Sequence, residues 1–406
     1  MLSVIQIIAV LLTFANVVVS SPVELQKRST FSIEQVPAKV AHRKPGAVLK
    51  AAAFQRHGIP MHTSLQASAE NAANRVLSHP PYNGSVSAWN DYYHVMYLCP
   101  VTIGEDTLHL LFDTGSSDIW GYSSLQPQEQ IYGHEFYNAE QYKIKDGYTW
   151  GVTYVDGTGA SGDVYVDQVE VGPLVATQQA FGAAKTISPS FVNFPEYEGV
   201  LGLGFRKMQS IQPVQQNTFF DNIRDSLAAP LFATALRYNA PGTYDFGVID
   251  TAKYTGELTW TEVNESIGCW EVYVSSTSIF PSTGFYAVVD TGTTLLILGD
   301  ELVAAYYDDV PDSVNDPTFG GYVVPCDTEL PDLEFELGGG YHVVPGMYMM
   351  VGAIDETGGM CYGGLQSNDL IDGVNVLGDI FMKGKYIVHE YADGLPRMGI
   401  APLADP

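Results

Sequence analysis

One seven-residue element occurs twice in this chain, and the two copies restrict its fold more than any other feature. Leu111-Phe112-Asp113-Thr114-Gly115-Ser116-Ser117 returns as Val288-Val289-Asp290-Thr291-Gly292-Thr293-Thr294. Each copy has the same downstream companion, two apolar residues and a glycine. Val200-Leu201-Gly202 puts its glycine 89 residues after Asp113, and Val376-Leu377-Gly378 puts its glycine 88 after Asp290. A lone Asp-Thr-Gly is three common residues and carries little. Two copies with apolar lead-ins and matched spacing read as two homologous lobes meeting about a pseudo-two-fold axis. Around them, short β-type runs at 101–104, 108–112, 148–155 and 163–171 alternate with turn signals. Helix is expected mainly over 219–227 and 300–308. The 406 residues exceed the usual length of one domain. The fold class is therefore all-β, built as two β-barrel-like lobes.

The repeated loop has a chemistry of its own. An apolar run anchors it at the end of a buried strand, and Gly115 and Gly292 allow a tight backbone path and close approach of substrate. Ser116 and Thr293 can hydrogen-bond the carboxylates from their outer sides. Two such loops face to face bring Asp113 and Asp290 into contact. Like charges that close cannot both ionise, so the pair keeps one proton over a wide acid range. The ionised member can take a proton from a water held between them while the protonated member polarises a carbonyl. Water then attacks directly, with no covalent intermediate. Other hydrolytic and phosphate chemistries fit poorly. Gly115-Ser116-Ser117-Asp118 is not a nucleophile elbow, Asp156-Gly157-Thr158-Gly159 lacks the lysine of a phosphate loop, and the nine histidines show no metalloprotease spacing.

Charge is segregated along the chain. Residues 1–80 carry eight basic and three acidic side chains, which leaves residues 81–406 at −32 of the −27 total. So acidic a body repels nucleic acid and anionic membranes. Residues 1–20 read as a signal peptide: a long apolar stretch ends in Val18-Val19-Ser20. The chain is expected to be secreted, with no membrane contact after the signal is removed. Lys27-Arg28 is a dibasic pair of the kind processing proteases cut. The stretch to residue 80, basic and Ala-rich, looks like a removable pro-segment rather than part of the core. The expected organisation is signal peptide 1–20, pro-segment 21–80, N-terminal lobe 81–258 with Asp113, and C-terminal lobe 259–406 with Asp290. Four cysteines, Cys99, Cys269, Cys326 and Cys361, allow three complete pairings. Without a Cys-x-x-Cys pair or a histidine cluster no metal is expected, nor any organic cofactor. Asn83-Gly84-Ser85 and Asn264-Glu265-Ser266 are glycosylation acceptors.

From residue 92 to residue 403 the chain resembles the pepsin family, and within it the fungal penicillopepsin and aspergillopepsin group. The stretches that carry the resemblance include Gly159-Ala160-Ser161-Gly162-Asp163-Val164-Tyr165, Glu198-Gly199-Val200-Leu201-Gly202-Leu203-Gly204-Phe205 and Cys361-Tyr362-Gly363-Gly364-Leu365-Gln366-Ser367. The resemblance implies a bilobal all-β enzyme, an aspartic endopeptidase made as a zymogen. Its central cleft would bind extended peptides under a hairpin flap, with the chain acting as a monomer. It places the catalytic aspartates at Asp113 and Asp290, and the threonines that cross-bond beneath them at Thr114 and Thr291. The flap tyrosine falls on Tyr154 and its tryptophan partner on Trp120. Thr158 and Thr294 are assigned with them to substrate binding. An acidic flap residue at Asp156 implies a first pocket that takes lysine as well as large apolar side chains.

The resemblance also pairs Cys326 with Cys361. Cys99 and Cys269 depart from it, standing at non-cysteine positions of the family, and because the pseudo-symmetry puts them at near-equivalent places in opposite lobes they are expected as buried free thiols. The charge segregation adds a physical reading: a +5 pro-segment against a −32 body is expected to dock through charge, block the cleft as an intramolecular inhibitor and leave in acid. Arg56-His57-Gly58 stands where relatives carry Lys-aromatic-Gly, whose cation covers the catalytic pair. Two departures stand out. Val155 replaces the usual flap glycine, and Gly121 replaces the valine after the tryptophan, which loosens packing behind the flap. Val155 keeps open a catalytically silent protein-binding relative, and the motifs equally suit a narrow-specificity processing peptidase.

Overall fold

The computed structural model describes residues 29–37, 46–57, 61–77, 97–153, 159–188, 191, 197–238, 240–354, 358–368 and 373–404. The signal stretch, Lys27-Arg28, Asn83 and the flap residues Tyr154, Val155, Asp156 and Thr158 lie outside them. The chain is mostly strand and has the two-lobed, pepsin-like all-β architecture expected. Strands β1 (Phe31–Glu34), β2 (Val36–Pro37), β3 (Tyr97–Ile103) and β4 (Asp106–Asp113) open the chain, interrupted by helices α1 (Gly46–Arg56) and α2 (Thr63–Leu77). An eight-stranded sheet containing β2, β3 and β4 builds the N-terminal lobe. A 13-stranded sheet runs from β1 through Ala240–Phe246, Leu231–Arg237, Lys385–Ala392 and Leu395–Pro402 into the C-terminal lobe. The strands of this bridge come from both ends of the chain, so the lobes share one sheet. Cys326 and Cys361 form a disulfide in the C-terminal lobe, while Cys99 and Cys269 are free and buried.

Helix is found where the pattern indicated it in the enzyme body, at Phe219–Ile223 and Asp300–Asp308. The first begins with a full capping box: Thr218 Oγ1 accepts from the Asp221 nitrogen, and Asp221 accepts from that of Thr218. The two longest helices, α1 and α2, were not anticipated. They belong to the stretch read as separate from the core, yet Ala47, Leu49, Ala53, Phe54 and Leu65 are part of the main hydrophobic cluster. Strand β1 pairs antiparallel with Ala240–Phe246, and β2 pairs with β3. Docking is thus mainly apolar packing and strand pairing, not charge alone. Gly121 needs a second correction. A Cβ there would meet Leu108 Cδ2 at 2.7 Å, so the leucine already fills the space a valine would take.

The shared sheet buries one group poorly suited to acid. His389 is fully buried, stacked on Phe232 at 4.5 Å and edge-on to Trp270 at 5.0 Å. Neither ring nitrogen meets hydrogen-bond geometry with a partner among the described residues. Burial pulls its pKa down to about 3. The unfolded chain binds that proton from the ordinary imidazole range downward and the folded chain does not. Stability therefore falls as pH drops through the window between the two, by up to about 1.4 kcal/mol per pH unit. His389→Phe should cost about 1–3 kcal/mol at neutral pH through imperfect repacking. It should match or exceed the wild type near the acid end of the window. Urea unfolding at the two extremes checks this, and parallel rather than crossing stability curves would contradict it.

Candidate active site

The two repeated loops meet at the centre of the molecule because each parent strand pairs with its own downstream element. In the N-terminal lobe β4 lies parallel to Gly199–Gly202, with Asp113 opposite Gly202. In the C-terminal lobe Phe285–Val289 lies parallel to Asn375–Leu377, with Val289 opposite Leu377. The glycine that closes each downstream element is required by close approach. A Cβ on Gly202 would fall 2.6 Å from Ser117 backbone, and one on Gly378 would fall 2.3 Å from the Thr293 carbonyl oxygen.

Between the lobes, Thr114 and Thr291 exchange hydrogen bonds in a near-symmetric lattice. The Thr114 nitrogen donates to Thr291 Oγ1 at 3.0 Å, and the Thr291 nitrogen donates to Thr114 Oγ1 at 2.9 Å. Each hydroxyl then donates across the axis, Thr114 to the Val289 carbonyl at 2.9 Å and Thr291 to that of Phe112 at 2.7 Å. Every atom involved is buried. Tyr244, a residue the sequence did not single out, donates its hydroxyl to the same Phe112 carbonyl at 3.2 Å and braces the strand end.

This lattice presents two carboxylates in matching settings. Asp113 Oδ1 accepts from the Gly115 nitrogen at 2.9 Å and Oδ2 from Ser116 Oγ at 2.6 Å. Asp290 Oδ1 accepts from the Gly292 nitrogen at 2.7 Å and Oδ2 from Thr293 Oγ1. The loops lie so close that a Cβ on Gly115 would sit 2.5 Å from the Asp290 carboxyl. Cys269 packs behind the first loop, its thiol 3.5 Å from the Gly115 carbonyl oxygen. Asp113 is 1% and Asp290 0% exposed, so both carboxyl groups lie in the protein interior. Five residues further on, Asp118 accepts from the Ser210 nitrogen at 3.0 Å with each oxygen, yet burial still pushes its pKa up to about 6.

Of the residues expected at the cleft, Trp120 is 1% exposed, its indole ring 5.8 Å from Trp150 and 5.9 Å from Phe191. Through Trp150 it packs on the antiparallel pair Ile144–Thr153 and Gly159–Val171, the strands that flank residues 154–158 in sequence. Thr294 is nearly buried beside the second loop. Asn264 caps the turn that follows it, accepting from the Ser266 nitrogen, and donates its amide to Glu271. From the stretch ahead of β3, His57 reaches this pair, its Nε2 3.0 Å from Asp290 Oδ2. The side chain of Arg56, its neighbour, is outside the description.

The geometry meets the expected requirements of the lattice threonines, and it exposes them to test. Thr291→Val removes a hydroxyl that serves two buried backbone groups, which should destabilise the protein by about 2–5 kcal/mol. Thr291→Ser keeps both bonds and should stay within about 1 kcal/mol of the wild type. Denaturant titration of the two variants separates these outcomes.

The comparisons with known proteins agree with this arrangement. The family model described as eukaryotic aspartyl protease matches residues 96–403. "Aspartic protease pepA" of Leptosphaeria maculans is 43% identical over 401 residues, with 97% of each chain covered. "Aspergillopepsin-1" of Aspergillus fumigatus is 40% identical over 407 residues, covering 98% of this chain and 99% of its own. "Penicillopepsin-2" of Penicillium janthinellum is 40% identical over 406 residues, with the same coverage.

Proposed function

The chain belongs to the eukaryotic aspartyl protease family and is an aspartic endopeptidase, and from that premise we propose that Asp113 and Asp290 hydrolyse peptide bonds in extended protein substrates in acid. The observation that carries the reading is the pair of buried carboxylates held alike on facing loops by Gly115, Ser116, Gly292 and Thr293. One proton shared by such a pair leaves one member ionised and one protonated, the behaviour known for aspartic-protease dyads. The ionised carboxylate takes a proton from the attacking water. The protonated one donates a hydrogen bond to the scissile carbonyl and then delivers its proton as the tetrahedral intermediate collapses. Fixed donors from the glycine nitrogens hold both carboxylates in place, so little reorganisation is needed at the moment of reaction.

Substrate would lie between the lobes under the flap, with Tyr154, Val155, Asp156 and Thr158 above it and Trp120 and Thr294 alongside. Large apolar residues suit the first pocket, and Asp156 adds a carboxylate able to pair with a lysine ammonium. Secretion is supported by the apolar leader and by a disulfide, which suits an oxidising compartment. The division into a signal at 1–20, pro-segment at 21–80 and lobes meeting near residue 258 belongs to the same reading. The pro-segment is the intramolecular inhibitor, and its contact with Asp290 supports that role. The enzyme acts as a monomer.

Two measurements test the reading. Hydrolysis of a denatured protein at about pH 3.5 should exceed that at about pH 7. Asp113→Asn or a statine-type inhibitor should abolish it; activity that survives the substitution would defeat the paired-carboxylate mechanism. For specificity, Asp156→Asn should lower cleavage after lysine relative to cleavage after phenylalanine by about tenfold. An unchanged ratio would remove Asp156 from the pocket.

A further inference from the structure

Both catalytic loops and the shared sheet meet at a single atom, the carbonyl oxygen of Phe112. The peptide unit that carries this oxygen also carries the Asp113 nitrogen. That unit is planar, so whatever fixes its carbonyl fixes the plane from which the Asp113 side chain departs. Two hydroxyls donate to the oxygen. One belongs to Thr291 of the opposite loop, at 2.7 Å, and the other to Tyr244 of the strand Ala240–Phe246, at 3.2 Å. A carbonyl oxygen has two lone pairs, and both are engaged here. The equivalent carbonyl of the second loop, that of Val289, takes the Thr114 hydroxyl, and no second side chain among the described residues donates to it.

Tyr244 is held firmly where it stands. It is 1% exposed and belongs to the main hydrophobic cluster, with its ring centre 4.9 Å from that of Phe112 itself. Its strand is paired on both sides, with Ile33 of β1 opposite it on one and Thr234 on the other. Burial pushes its hydroxyl well above the usual tyrosine range, so it remains a proton donor in acid and at neutrality. We propose that Tyr244 is a positioning residue for the hydrolysis, fixing the Phe112–Asp113 peptide from the shared sheet so that the Asp113 carboxyl keeps its orientation toward Asp290. The inference rests on the paired-carboxylate reading above and adds a residue that acts through Phe112 rather than on substrate. Thr291 does not replace it. The threonine rides on the second loop, so its bond registers the loops to each other, whereas Tyr244 ties the first loop to a third element. A tilt of the Asp113 carboxyl would disturb the attacking water and its proton while leaving the rest of the cleft intact. The cost should therefore fall on turnover and not on substrate binding.

The test uses the full chain as wild type, Tyr244→Phe and Tyr306→Phe, with the folded fraction of each measured by thermal melt and the enzyme assayed in acid. Tyr306 is the control, a buried tyrosine on Asp300–Asp308 whose hydroxyl donates to the Pro331 carbonyl at 2.7 Å, outside both loops. Tyr244→Phe removes one oxygen and keeps the ring. Its kcat should fall about tenfold or more with KM within about twofold, and a statine-type inhibitor should bind about tenfold more weakly. Tyr306→Phe should melt earlier with kcat and KM unchanged. Hydrogen exchange followed by mass spectrometry gives a reading independent of activity. In Tyr244→Phe the peptide spanning 111–117 should exchange about tenfold faster than in wild type, and the peptide spanning 288–294 should change less. A Tyr244→Phe enzyme that melts earlier yet keeps the wild-type kcat would overturn the positioning role. So would equal acceleration of exchange at both loops, or the same loss of kcat in both variants. Activity retained by Asp113→Asn would instead defeat the paired-carboxylate reading beneath it.

Discussion

The exchange of hydrogen bonds between Thr114 and Thr291 is the constraint on which the rest of the molecule depends. Each hydroxyl accepts from the opposite loop and donates to the opposite strand, so four buried backbone groups are satisfied by two small side chains. Only serine and threonine offer donor and acceptor on one atom at this size. The lobes are thereby registered to each other one residue beyond each aspartate, and the positions of the carboxylates follow from backbone, not from flexible side chains. Left unmatched, any of these groups would cost far more than the bond itself is worth. The arrangement therefore tolerates little intermediate displacement. It holds the dyad in place, and the shared sheet through Lys385–Ala392 and Leu395–Pro402 reinforces it from below.

How much of this was legible in the sequence follows from where each requirement is local. The loop is a local solution used twice, so Asp113, Asp290 and their flanking hydroxyls stand out as a repeat, and the glycines at 202 and 378 stand out because nothing larger fits. The body helices carry a cap or a clear apolar face. The pro-segment helices do not: α1 buries Ala47, Leu49, Ala51, Ala53 and Phe54, covered on more than one side, so no single stripe marks it. Gly121 illustrates a different limit. The space beside it is filled by Leu108, thirteen positions earlier, and only the fold brings the two together. His57 meets Asp290 for a similar reason, since the phase in which α1 ends sets the direction of its ring.

Buried ionisable groups pull the stability of this fold in opposite directions with pH. Asp118, raised to about 6 by burial, contributes stability that is fully present below the ordinary aspartate range and is lost as pH rises through that value. His389, held near 3, and His342, lowered by burial to about 4, act the other way and cost stability as pH falls. The surface adds its own tilt, because a net charge of −27 repels itself least when carboxylates are protonated. Acid thus favours the fold at Asp118 and across its surface, while the price is concentrated at two histidines inside the C-terminal sheet.

The pro-segment's hold on the body combines contacts that respond to pH with contacts that do not. Apolar packing of Leu49, Phe54 and Leu65, and the pairing of β1 with Ala240–Phe246, involve no titrating group and remain the same in acid. The contact of His57 with Asp290 is the described one placed on the catalytic machinery itself. β1 is held at the edge of the shared sheet both by that pairing and by Lys253, which reaches from Asp245 to Ser32.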